Sequence, residues 1–141
     1  MMIEHIQRTY QNINAKSLDD GILQQLYTED AVFIDPFHRI EGRDRLDAYF
    51  KQLYRNVRAI NFTYGRAVQQ DNRITMEWEM RVEHPRLKGG EPVNVSGITC
   101  FELEGERVKL HRDYFDAGEM LYENLPVLGR IIRTIKNRMG Q

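Results

Sequence analysis

Apolar positions along the chain change period near Val57. Before that point they recur every three or four residues, the spacing of one helix face. Ile3, Ile6, Tyr10 and Ile13 predict a first helix with a single apolar stripe. Ser17 predicts the start of a second: Ser-Leu-Asp-Asp offers a capping oxygen and places acids in the first turn, where the helix dipole favours them. Its stripe is Leu18, Ile22, Leu23 and Leu26. Residues 31–35 predict a short strand that Pro36 stops, since proline cannot donate to a ladder. A third helix follows Gly42, with Leu46, Tyr49, Phe50, Leu53 and Tyr54 on one side.

After Val57 the period is two. Ile60, Phe62, Tyr64 and Val68 alternate with small or polar residues, and Ile74, Met76, Trp78, Met80 and Val82 alternate with charged ones and Thr75. Such alternation predicts strands with one buried and one wet face. Gly89-Gly90 and Glu104-Gly105-Glu106 predict turns into strands over 92–103 and 107–116, making a four-stranded antiparallel meander. Helices ahead of a meander predict an α+β fold with the helices on one face of a curved sheet. Pro126 suits a first helical position and predicts a last helix to about Arg138. Without repeats or linkers, residues 1–141 are expected to form one domain, with 118–141 as a C-terminal helical extension.

Composition narrows the function. Twenty Lys and Arg against twenty-one Asp and Glu leave a net charge of -1, so no global basic field exists to hold a phosphate backbone and no nucleic-acid partner is expected. Cys100 is the single cysteine, which excludes an internal disulfide and every zinc site built on several cysteines. No apolar run is long enough to span a bilayer and the first residues carry no apolar leader, so integral membrane association is not expected and the cytoplasm is. The chain shows no phosphate loop, metalloprotease motif, nucleophile elbow or calcium loop. No cofactor and no metal are expected.

Four places carry candidate chemistry. Asp35 closes a strand on the same face as Phe33, and a carboxylate on an apolar wall is a candidate general base. It is equally suited to capping the turn at Asp35-Pro36. In His-Arg-Asp-Tyr-Phe-Asp, 111–116, strand parity puts His111, Asp113 and Phe115 on one face, an acid–base pair or else a charged sheet edge. Trp78 and Met80 fit a core stripe and a ligand wall alike. Arg130, Arg133, Lys136 and Arg138 make the last helix basic; its apolar side, Leu128, Ile131, Ile132 and Ile135, is expected to pack on its own domain.

The order of elements and these two acidic motifs resemble the SnoaL-like branch of the nuclear-transport-factor-2-like superfamily, which includes ketosteroid isomerase and limonene epoxide hydrolase. The resemblance implies a cone-shaped α+β barrel, in which a curved sheet wraps the N-terminal helices around an apolar pocket. It also implies a homodimer through the outer sheet face. Asp-Ala-Val-Phe-Ile-Asp-Pro resembles the ketosteroid isomerase segment that carries the proton-shuttling aspartate, here Asp35. Tyr10 lies near the place of that enzyme's oxyanion tyrosine, and Thr99 takes the place of its protonated aspartate. Arg-Asp-Tyr-Phe-Asp is similar to limonene epoxide hydrolase and puts Asp113 in a water-activating triad, whose other members fall on Trp78 and Met80; Phe33 and Asp35 match its pocket tyrosine and asparagine. One carboxylate of each enzyme is present and the full machinery of neither.

The chain is thus expected to bind a small, largely apolar organic molecule on a face collecting Phe33, Asp35, Trp78, Met80, Thr99, His111, Asp113 and Phe115, with Tyr10 and His38 at its rim or base. Asp35 would abstract a proton, and Asp113 with His111 would return it or polarise the ligand. Two alternatives stand beside this: a non-catalytic dimeric scaffold with a filled cone, and an epoxide-hydrolase-like hydrolase using Asp113. An open cavity of roughly 300 Å³ or more would favour a ligand.

Overall fold

The first helix, α1 (Met2–Gln11), ends before Ile13, which is buried from the loop beyond. The computed structural model describes residues 1–120 and 126–140. Asn14, rather than Ser17, caps the next helix. Its side chain accepts the Ser17 backbone N–H at 2.9 Å while the Ser17 hydroxyl accepts the Asn14 N–H at 2.9 Å, a reciprocal capping box. The stripe from Leu18 to Leu26 is then split into α2 (Ala15–Asp19) and α3 (Ile22–Leu26). Gly21 makes the break at φ +85°, in the left-handed region that favours glycine.

The strand expected at 31–35 is longer and ends earlier, as β1 (Tyr27–Ile34), so Asp35 lies one residue beyond it. A turn at Pro36 leads into β2 (Arg39–Glu41), and α4 (Arg43–Asn56) buries Leu46 and Phe50. The long strands are β3 (Ala59–Gln70), β4 (Arg73–Glu83), β5 (Val93–Glu104) and β6 (Arg107–Phe115), followed by α5 (Ala117–Met120) and α6 (Pro126–Met139).

The six strands form one curved, unclosed sheet in the order β2-β1-β6-β5-β4-β3. Strands β3 to β6 are the antiparallel meander. One pairing departs from that pattern: β1 joins β6 in parallel, setting Phe33 beside His111 and Ile34 beside Arg112. This non-local contact brings the two acidic motifs to one end of the sheet. α1, α3 and α4 pack Ile6, Leu23, Leu26 and Leu46 against Ile74 and Val108 of the sheet, all at most 1% exposed. Each such side chain contributes roughly 1.5–3 kcal/mol of burial.

Two expected burials fail. Val68 is 66% exposed because a bulge between Tyr64 and Ala67 shifts the parity of β3, turning Ala67 inward instead. On α6 the expected packing reaches Gly129 and Ile132 among the described side chains, whereas Leu128, Ile131 and Ile135 are exposed. Lys136 anchors the helix to Asp116 at 2.5 Å, so the side facing the domain is set by this ion pair and by Gly118 under Ile132.

Gly97 holds a close approach. It pairs with Trp78 on β4 and Phe115 on β6, and the indole lies across it. A Cβ at this position would sit 2.4 Å from two carbons of the Trp78 ring. Gly97→Ala is therefore expected to displace the indole and destabilise the fold by roughly 1–3 kcal/mol, read by denaturant unfolding.

Candidate functional site

Asp35 does both things its position allows. Its Oδ1 accepts the backbone N–H groups of Phe37 at 2.8 Å and His38 at 2.7 Å, with the His38 Nδ1 at 3.2 Å, and so fixes the turn after β1. Its side chain is 8% exposed and lines the main cavity. His38 stays on the solvent side, 43% exposed at its side chain and outside the cavity wall.

His111 is the centre of the site. Lying mid-sheet between Phe33 of β1 and Phe101 of β5, its ring centroid is 4.6 Å and 4.8 Å from theirs, and it is 3% exposed. An imidazole so enclosed needs partners for both nitrogens. Nε2 is 2.7 Å from Asp113 Oδ1, and Nδ1 is 2.8 Å from the Tyr27 hydroxyl. Tyr10 bonds Tyr27 in turn and lies 3.3 Å from Nδ1. From the other side, Trp78 Nε1 donates to Thr99 Oγ1 at 2.8 Å and Thr99 donates to Asp113 Oδ1 at 2.5 Å.

These bonds form one chain with a consistent direction. In a neutral imidazole, Asp113 Oδ1 accepts from Thr99 and from an Nε2–H of His111, Nδ1 accepts from the Tyr27 hydroxyl, and Tyr10 donates to Tyr27. Oδ1 is the acceptor whether or not Oδ2 carries a proton. Oδ2 makes no hydrogen bond to a described residue, and Asp113 is 16% exposed at its side chain, so this oxygen is the one offered to a ligand.

Asp113 lies on the wall of three spaces, one of them of about 170 Å³ at the Pro36 turn. The main cavity, about 130 Å³, also takes in Tyr10, Phe33, Asp35, Trp78, Met80 and Phe115. It comes close to a cavity that holds one benzene-sized molecule and falls below the roughly 300 Å³ that marks a drug-sized pocket. A smaller hollow of about 30 Å³ adjoins Tyr10, Thr99, His111 and Asp113, room for a single water with several polar partners. The expected site residues are thus brought together, apart from His38. Tyr27 was not legible: its parity matches Ala31 and Phe33, but Thr28-Glu29-Asp30 breaks the apolar alternation between them. Among the described residues no cluster of His, Cys, Asp or Glu is placed to hold a metal ion.

Burial pushes the Tyr10 hydroxyl well above its ordinary range, with Tyr27 and Asp113 adding to it. Burial does the same to Tyr27, against an opposing hydrogen bond from Tyr10. Tyr49 is pushed up to about 12, first by burial and then by the charges of Asp35 and Asp113. All three stay protonated at neutral pH, and Tyr10 and Tyr27 serve there as donors. In the unfolded chain they ionise near pH 10, so above that pH the unfolded state binds fewer protons than the folded one. Their stabilisation is complete below pH 10 and should fall as pH climbs toward 12, by up to ~1.4 kcal/mol per pH unit for each tyrosine. Urea unfolding across this range should show the loss, and Tyr27→Phe should make it shallower.

A family model for the SnoaL-like domain matches residues 6–111, about three-quarters of the chain. No curated protein matches. Among solved structures, a hypothetical protein with a ketosteroid isomerase-like fold from Catenulispora acidiphila DSM 44928, in complex with trimethylamine, is 16% identical. It aligns over 89% of this chain and 93% of its own with a TM-score of 0.74. An NTF2-like protein of unknown function from Burkholderia pseudomallei K96243 is 17% identical, over 85% and 94%, at 0.72. An LEH-like epoxide hydrolase from M. tuberculosis is 22% identical, over 84% and 79%, at 0.68. At these identities the likeness lies in the fold, and it is the match to the family model, running from α1 to the histidine at the centre of the site, that makes this chain a member of the SnoaL-like domain family.

Proposed function

We propose that the protein binds a small, largely apolar organic molecule, about one ring in size, and carries out isomerase-type proton transfer on it. The observation that carries this reading is the pairing of Asp35 and Asp113 on the wall of one apolar cavity, each held through its Oδ1. Asp35 takes a proton from a carbon beside a carbonyl group, and the C–H electron pair moves into the carbonyl to leave an enolate. Asp113, protonated on Oδ2, gives its proton to another carbon of the same molecule. After the product leaves, a proton passes from Asp35 to Asp113 through water that enters the emptied cavity, which restores the starting state. His111 and Thr99 hold Oδ1 throughout, while Phe33, Trp78 and Met80 exclude water.

The small hollow beside Asp113 supports a second reading, in which Asp113 activates a water held there against an epoxide or ester. The filled scaffold stands as the other alternative, since the cavity, at about 130 Å³, lies below the roughly 300 Å³ of a drug-sized pocket. The homodimer through the outer sheet face remains part of the proposal, with the half-exposed Tyr114 on that face.

Native mass spectrometry of the purified protein should show a dimer that carries a small organic molecule; an empty dimer would favour the scaffold. Cyclohex-3-enone, isomerising to its conjugated isomer, is the probe for the chemistry. Asp35→Asn should slow it by roughly 10²–10⁴, and Asp113→Asn by less, because the protonated Asp35 can itself return its proton to the second carbon. The hydrolytic reading requires the reverse ranking on an epoxide probe such as cyclohexene oxide. Equal losses would overturn both assignments.

A further inference from the structure

The exposed apolar stripe of α6 has no partner among the described residues. Leu128, Ile131, Ile135 and Met139 fall three or four residues apart and are 39%, 51%, 49% and 82% exposed. They lie to one side of the strip through Ile132 and Lys136 that meets Gly118 and Asp116. Leaving four large apolar side chains in water along one helix face is costly, and surfaces of this kind mark an interaction site.

Charge decides what covers it. α6 carries Arg130, Arg133, Lys136 and Arg138 and no acid, whereas the rest of the chain has sixteen bases against twenty-one acids. Lys136 is already paired with Asp116, but pairing this stripe with the same stripe of a second copy would still bring Arg130 and Arg138 of two helices together. An anionic lipid surface offers the reverse: charge to meet the cations, and an acyl boundary into which an apolar stripe can sink. The helix has 14 residues and is about 21 Å long, too short to cross a hydrocarbon core of roughly 30 Å. No described helix is long and apolar enough to cross one.

We infer that α6 is an interfacial helix that docks the protein on anionic membrane surfaces, lying in the headgroup plane with Leu128, Ile131, Ile135 and Met139 inward. The docking does not depend on the reaction proposed for the cavity. It does bear on where a ligand comes from. Ile132 packs over Gly118 of α5, and Met120 at the end of α5 lines the cavity, so docking holds the cavity next to the lipid.

Flotation of the full chain with vesicles tests this. Vesicles of equimolar phosphatidylglycerol and phosphatidylcholine should carry the protein, and phosphatidylcholine vesicles should not. Raising the salt should release it. Arg130→Glu and Arg138→Glu should each weaken binding about fivefold or more, and Ile131→Ser/Ile135→Ser should abolish it. All four residues are exposed, so thermal unfolding of the variants should match that of the parent and separate lost docking from lost fold. No flotation with either vesicle would overturn the inference, as would equal flotation with both. So would a dimer that Ile131→Ser/Ile135→Ser dissociates while the parent ignores vesicles, because the stripe would then belong to a second copy.

Discussion

An imidazole and a carboxylate cannot be enclosed among aromatic rings unless every polar atom taken from water finds a partner there. The bonds from Trp78 through Thr99, Asp113, His111 and Tyr27 to Tyr10 meet that demand, and much of the concave face follows from them. Each bond adds only about 1 kcal/mol net, but removing one partner strands a buried group at a cost of roughly 1–3 kcal/mol. The chain draws on α1, β1, β4, β5 and β6, so it also fixes how these elements sit against one another. It has a chemical consequence as well: with both His111 nitrogens and one Asp113 oxygen occupied, a single carboxyl oxygen remains for a ligand.

Much of this was legible from local pattern. Strict alternation from Ile74 to Val82 marks β4, and parity alone puts His111 and Asp113 on one face of β6. Short-range chemistry was legible where one residue type has one use, as with the turn at Gly105. It was not where two residues compete, and Asn14 took the cap expected of Ser17. Non-local pairing left no local trace: the parallel contact of β1 with β6 is what sets Phe33 beside His111, and nothing near either residue announces it. Bulges hide in the same way, since one extra residue reverses parity and turns Val68 outward.

Tyr27 shows the same limit at the site itself. A tyrosine at a strand start beside Thr28-Glu29-Asp30 reads as a surface residue, yet it is fully buried and closes the hydrogen-bond chain. Asp35 shows the converse. Its position suits a turn cap and a general base alike, and the carboxyl caps the turn while its side chain lines the cavity. The two ends of the molecule also differ in kind: the cone is closed by buried polar chemistry, whereas α6 leaves its apolar stripe outside.

The direction of the bonds through His111 can be read from ¹⁵N NMR of the imidazole. One fixed neutral tautomer is expected, with Nε2 protonated toward Asp113 and Nδ1 accepting from Tyr27. An Nδ1–H tautomer, a ring averaging between both, or a doubly protonated ring would contradict it, because Tyr27 could then no longer be the donor and Asp113 would not be held as described.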